Sequence, residues 1–237
     1  MRALIESCTG SRGAVQEIVV RVPPSFRFVA GQYLEVMLND ELGIPLSIAS
    51  APHRLPELHL HYRSTPGMTE AELLDERLAR ADDLTIRGPF GTVCLATPIT
   101  RPLLIAAGGT GGAQALGLLD ALLAEPPSQP VIVLWCADRA DDLYRSGWLE
   151  SLEHGWFTSK CIVDASRTAA NRALRWLRDE APRLTHHDII LSGSPTFVYA
   201  AADTLQSAGV SPEQMAADVF TYAPRKVSAP NQPSDTA

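Results

Sequence analysis

The chain changes its hydrophobic rhythm part-way along. In the first hundred or so positions, apolar residues fall in short runs separated by Gly and Pro: 14–22 (AVQEIVVRV), 32–38 (QYLEVML), 45–51 (PLSIASA), 57–63 (ELHLHYR) and 83–88 (DLTIRG). Several alternate with period two, as Leu58, Leu60 and Tyr62 do against His59, His61 and Arg63. Such alternation between regular turn signals predicts antiparallel strands closing into a barrel or sandwich. One stretch, 69–79, instead predicts a short helix, with Thr69 as N-cap and Glu72 completing a capping box.

Beyond Arg101 the runs at 102–107, 131–136, 161–164 and 188–193 are almost continuously apolar, as strands buried on both faces are. Helical patterns at 113–123, 169–178 and 196–208 separate them. Strand and helix in alternation predict a doubly wound parallel sheet. The expected organisation is therefore an N-terminal antiparallel β-barrel over 1–98 and a C-terminal α/β domain over 99–224. A polar, Pro-rich tail over 225–237 is expected to be disordered.

The first buried strand runs directly into Gly108-Gly109-Thr110-Gly111-Gly112 and then a helix. Glycine admits positive φ and lets a phosphate approach backbone N–H groups, and a helix N-terminus adds unpaired donors. The spacing matches neither G-x-G-x-x-G nor a P-loop, so a tight turn without ligand stands beside the pyrophosphate reading. Thr110 is the one side chain in the run able to donate a hydrogen bond. A second loop, Ser192-Gly193-Ser194-Pro195-Thr196, follows the last apolar strand and is expected at the same sheet edge. Two loops at one edge make a cleft for an extended ligand.

Composition narrows the function classes. With 46% hydrophobic residues in 237, the chain can bury a full core. A net charge of -7 disfavours nucleic acid as partner. No apolar run is long enough for a membrane span and no signal peptide is evident, so a cytoplasmic location is expected. Cys8, Cys94, Cys136 and Cys161 lack metal or cluster spacing and are expected as free thiols. His186 and His187 are expected on a solvated loop. The alternation of His59 and His61, with His53 near, is expected to mark an outer barrel face rather than a metal site. Trp148 and Trp156 are expected to pack beneath the α/β domain. Arg outnumbers Lys 18 to two, which suits a phosphorylated ligand and codon bias equally.

Further motifs fall in a consistent order: Gly31-Gln32-Tyr33-Leu34, Ile44-Pro45-Leu46-Ser47-Ile48-Ala49-Ser50, Pro66-Gly67-Met68-Thr69, Gly88-Pro89-Phe90-Gly91, the turn at 108–112, Trp135-Cys136-Ala137-Asp138-Arg139 with Asp142-Leu143-Tyr144, Leu191-Ser192-Gly193-Ser194-Pro195, and Asp218-Val219-Phe220-Thr221-Tyr222. Together they resemble the ferredoxin-NADP reductase superfamily from about residue 5 to 223. Within it the chain looks most like the stand-alone NAD(P)H:flavin oxidoreductases.

The resemblance implies hydride transfer from NADPH or NADH to a flavin, FAD or FMN, held or taken as substrate. It implies Ser47 beside the reactive edge of the flavin ring and Thr110 placing the nicotinamide. The backbone of Pro45, Leu46, Ile48 and Ala49 would line the flavin, with Gly67, Met68 and Thr69 at its phosphate helix. Gly108, Gly109, Gly111 and Gly112 would approach the pyrophosphate, with Arg139, Gly193, Ser194 and Pro195 nearby. Phe220 or Tyr222 would cover a ring face. Ser166 and Arg167 stand where NADPH-using members bind the 2′-phosphate and tilt the reading toward NADPH, while Asp164 beside them could instead receive a ribose hydroxyl. The chain departs from the family at Ile44 and Leu46, where an Arg and an aromatic are expected. A lost charge-assisted hydrogen bond, worth about 1.5–3 kcal/mol, implies weak flavin binding unless Arg63 takes over the anionic end. The implied acceptor is an oxygenase or ferredoxin partner. An electron-transfer subunit with tightly bound flavin, and a non-catalytic nucleotide-binding subunit, are the alternatives.

Overall fold

A computed structural model describes residues 1–225 apart from 12, 66, 96 and 167. Six strands form the first sheet: β1 (Arg2–Thr9), β2 (Val15–Arg21), β3 (Tyr33–Met37), β4 (Gly43–Ser47), β5 (Glu57–Arg63) and β6 (Asp83–Phe90). They pair antiparallel in the order β4-β3-β6-β1-β2-β5. The Ile48–Leu60 bridge and the Ala49 N–H to His59 carbonyl bond (2.8 Å) draw the two ends together into a barrel. The period-two residues Ile18, Val20, Leu34, Val36, Leu58 and Leu60 fill it. The barrel's helix, α1 (Thr69–Arg80), plugs one end with Ala71, Leu74 and Leu78.

One expectation shifts here. The N-cap of α1 is Met68, not Thr69: its carbonyl accepts from Glu72 N–H at 3.1 Å, and no side chain caps the helix. Strand β1 carries no clear apolar alternation because Ala3 alone among its residues is buried.

The second sheet contains β7 (Leu103–Gly108), β8 (Val131–Ala137), β9 (Phe157–Val163), β10 (Asp188–Ser192) and β11 (Met215–Ala216). All its pairings are parallel, in the order β11-β10-β7-β8-β9. Helices α2 (Gly112–Ala124) and α3 (Ser146–Glu150) cover one face. Helices α4 (Ala169–Leu184), α5 (Pro195–Ser207) and α6 (Val219–Tyr222) cover the other. Strand β7 feeds both cores, with Leu104 and Ala106 on one side and Ile105 and Ala107 on the other. That two-sided burial is why its sequence is continuously apolar.

Helix α2 lies between the parallel sheet and the barrel, so its polar residues are spent across that seam. Asp120 accepts from Ala51 N–H (2.9 Å) and from Arg54 Nε and Nη2 (both 2.7 Å). Gln114 donates to the Gly31 carbonyl at 2.7 Å. A Cβ on Gly117 would stand 2.3 Å from the Ile48 carbonyl, so glycine sets how closely helix and barrel approach. The barrel face bearing His59 and His61 is covered by this seam, and His61 is only 5% exposed.

Candidate active site

The sheet order places β8 on one side of β7 and β10 on the other, which makes the β7–β10 edge a topological switch point. Both glycine loops end there and touch. A Cβ on Gly111 would fall 2.5 Å from the Ser192 backbone, and one on Gly193 would fall 2.8 Å from the Gly108 carbonyl. Gly108 leaves room for the Phe197 ring and Gly112 for the Trp135 ring, whereas the space at Gly109 is open and its φ of +55° is what favours glycine. Packing therefore accounts for three of the four glycines in the turn, and chain geometry for the fourth.

Two clefts meet at Thr110. The first, about 170 Å³, runs between barrel and sheet and is lined by Pro45, Leu46 and Ser47 opposite Thr110, Gly111 and Gly193, with Tyr33 and Tyr222 at its sides. The hydroxyls of Ser47 and Thr110 hydrogen-bond to no other described residue, so both are free to meet a ligand. No Lys or Arg lines this cleft among the described residues. The second, about 400 Å³, is lined by Arg63, Ser64, Thr65, Gly108, Gly109, Asp138, Asp142 and Ser194. Arg63 does not stand free there: its Nη1 donates to Asp142 Oδ2 at 2.6 Å, and Asp142 is 3% exposed.

Other expected residues lie outside both linings. Ile48 and Ala49 do not line the first cleft: their N–H groups are spent on the carbonyls of Gln32 (3.0 Å) and His59 (2.8 Å), and Ala49 faces a groove across the seam. Gly67, Met68 and Thr69 sit at the start of α1, beyond the Ser64–Thr65 rim. Gly112 lies against the Trp135 ring, and Pro195 begins α5. Arg139 pairs with exposed Asp141. Ser166 donates its hydroxyl and its N–H to Asp164, and Thr168 donates to the other oxygen, which holds that carboxyl at about pKa 2. Arg167 lies outside the described residues, as do Pro66 and the tail beyond Arg225. Of the two terminal aromatics, Phe220 packs on Tyr199 (5.5 Å) while half-exposed Tyr222 lines the cleft.

Sequence reasoning assigned no role to Gln114, Asp218 or His61, which all line the first cleft. Asp218 accepts from Thr92 and Val93 N–H and from Gln114, tying α6 to the barrel; burial pushes its carboxyl up. Asp218 belongs to the Asp218–Tyr222 motif, and Gln114 stands two residues after the glycine run. Both signals were therefore present in the sequence.

No family model matches the chain. It is 29% identical over 231 residues to a terephthalate 1,2-dioxygenase reductase component from Comamonas, covering 94% of this chain and 68% of that protein. It is 28% identical over 233 residues to a probable flavin reductase from Vibrio harveyi, covering 94% of this chain and all (100%) of that one. Ferredoxin-NADP+ reductase from Plasmodium falciparum superposes with a TM-score of 0.77 at 12% identity, over 91% of this chain and 94% of that one. Over most of its length the chain is similar to flavin reductases and to ferredoxin reductase components of dioxygenase systems. Its two-sheet architecture is the fold of that ferredoxin-NADP+ reductase. Against the superfamily pattern, Ile44 is packed partly into the barrel core and Leu46, 7% exposed, presents an aliphatic wall to the cleft.

Proposed function

We propose that the protein is an NADH-dependent flavin reductase that takes flavin as an exchangeable substrate and passes its electrons to a separate acceptor. The observation that carries this reading is the juxtaposition, in one cleft, of the barrel segment Pro45-Leu46-Ser47 with Thr110 and Gly111 of the nucleotide turn. Held between Pro45-Leu46-Ser47 and Thr110-Gly111, a nicotinamide would supply a hydride, and a flavin would accept it together with one proton from solvent. The chain's part is to hold two planar rings in register and to exclude water between them. Ser47 and Thr110 contribute hydroxyls from opposite walls, Tyr222 covers the open side, and Leu46 provides apolar surface. No acid–base dyad is required for this step. The acceptor is read as an oxygenase component, a role supported by the name of the Comamonas relative.

The nucleotide reading moves toward NADH. The second cleft carries Asp138 and Asp142, and its one cation, Arg63, is already neutralised among the described residues. Ser166 is spent on an ionised Asp164 rather than free for a phosphate. A 2′-phosphate adds roughly −1.5 to −2 charges at neutral pH and meets this acidic surround unfavourably.

Steady-state oxidation of NADH and NADPH, with and without added riboflavin or FMN, tests both statements. Flavin-dependent NADH oxidation, with kcat/KM at least about tenfold above that for NADPH, is expected. Absence of oxidation with every flavin favours a non-catalytic nucleotide-binding subunit, and parity of the two nucleotides removes the NADH assignment alone.

A further inference from the structure

Beneath the nucleotide turn lies Trp135, fully buried (0% exposed) and touching neither cleft. It stands on β8 directly opposite Ala107 of β7, one residue before the glycines begin. Its indole Nε1–H donates to the Gly109 carbonyl at 2.8 Å. Its ring also fills the space that a side chain at position 112 would need, with Cζ2 2.2 Å from the place of a Cβ. The Gly109–Thr110 peptide is therefore gripped from below. In a trans peptide the carbonyl and the following N–H point in opposite directions. Holding the Gly109 oxygen down toward the indole thus turns the Thr110 N–H up, toward the side where the two clefts meet.

The indole is itself held from the barrel. Tyr144 packs edge-on against Trp135 (centroids 5.1 Å, 88°), and its hydroxyl lies 2.7 Å from His61 Nδ1. His61 belongs to β5 and lines the first cleft. The arrangement that satisfies both imidazole nitrogens has the phenol donating to Nδ1 and Nε2–H facing the Glu17 carboxylate, 3.7 Å away. Glu17 is paired in turn with Arg145, the residue after Tyr144. A continuous line of contacts thus runs from the barrel wall through His61, Tyr144 and Trp135 to the Gly109–Thr110 peptide.

We propose that Trp135 is a positioning residue for nicotinamide nucleotide binding: its indole N–H sets the Gly109–Thr110 peptide so that the Thr110 N–H is presented to the ligand, with Tyr144 and His61 fixing the indole. Trp135 does not touch the reacting atoms, so its loss weakens nucleotide binding without slowing hydride transfer. This inference rests on the nucleotide reading above, and the experiment separates the two.

The test compares Trp135→Phe and Trp135→3-benzothienylalanine, an isostere that keeps the ring volume and lacks the N–H, with the unmodified protein. NADH binding is followed by the nucleotide's own fluorescence and turnover by steady-state kinetics with riboflavin. Both variants are expected to raise Kd and KM for NADH about tenfold with kcat within twofold and the riboflavin KM unchanged. Tyr144→Phe is expected to act in the same direction by a smaller factor, about threefold. If the benzothienyl protein binds NADH as tightly as the unmodified protein, or loses kcat at unchanged KM, the proposal is overturned. If Trp135→Phe does not fold, the isostere decides. If the unmodified protein binds no NADH at all, the nucleotide reading fails before Trp135 is tested.

Discussion

On the nucleotide side of the cleft, the 108–112 turn is closely specified by its neighbours. Phe197, Trp135 and the Ser192–Gly193 backbone each occupy space that one of its glycines vacates. On the barrel side, a proline, an aliphatic Leu46 and a free Ser47 hydroxyl face the turn, with Tyr33 and His61 beside them and no Lys or Arg along the first cleft among the described residues. The contrast separates two kinds of site. A turn whose geometry is over-determined presents the same donors in every molecule, which suits a ligand recognised by its backbone-facing phosphates. A wall without Lys or Arg suits a ligand that enters and leaves.

The sharpest way to break this comparison is to put a side chain into the turn. Gly111→Ala places a Cβ 2.5 Å from the Ser192 backbone, so one of the two loops must shift. It should cost about 3 kcal/mol in urea unfolding. Gly109→Ala, with open space but φ +55°, should cost about 1–2 kcal/mol. Equal costs would show that packing does not specify the turn.

The seam that brings the two walls together is the next point of attack. Asp120 is 12% exposed at its side chain and bonded to Arg54 and to Ala51 N–H. Asp120→Ala leaves the buried Ala51 N–H unpaired while half-exposed Arg54 turns to water, and should destabilise the protein by about 1–3 kcal/mol, again read by urea unfolding.

The barrel wall should respond in the opposite sense. Ile44→Arg with Leu46→Tyr restores the charge and ring contact that the superfamily pattern carries there. Flavin affinity, titrated by fluorescence quenching, should rise roughly ten- to a hundredfold for FMN, and less for riboflavin, which has no phosphate. An equal gain for both would assign the effect to the aromatic alone.

The smallest effect is a pH slope. Burial holds the His61 imidazole at a pKa of about 3 against an ordinary 6.5. Between those values the unfolded chain carries one more proton than the folded one, so stability falls as pH falls. The slope approaches about 1.4 kcal/mol per pH unit. His61→Gln should remove that one-proton slope between pH 6 and 4. An unchanged slope would show that His61 is protonated in the fold.

Much of this was legible in the sequence, for a physical reason. Strands β7, β8 and β10 are buried on both faces, so their composition alone announces them, and the run Glu57–Arg63 alternates cleanly because one side fills the barrel. The first cleft was legible too, since Pro45, Leu46, Ser47, Thr110, Gly193 and Tyr222 all carry motif signals. What could not be read is what one half does to the other. His61 sits at an alternating outward position, and nothing local says that Tyr144 will cover it. Arg63 looked like a spare cation until Asp142, distant in sequence, claimed it. The glycines of the turn advertise a phosphate site equally well whether ligand or Trp135 demands them.

The central claim is that flavin is an exchangeable substrate on a rigid nucleotide platform. The direct measurement is to saturate the purified protein with FMN, pass it through gel filtration, and record its visible spectrum and NADH oxidation before and after adding flavin back. The account predicts a colourless protein whose oxidation rate is restored in proportion to added flavin until saturation, with a Kd above about 1 µM. A yellow protein holding one flavin per chain, with Kd below about 0.1 µM and full activity without addition, would contradict it.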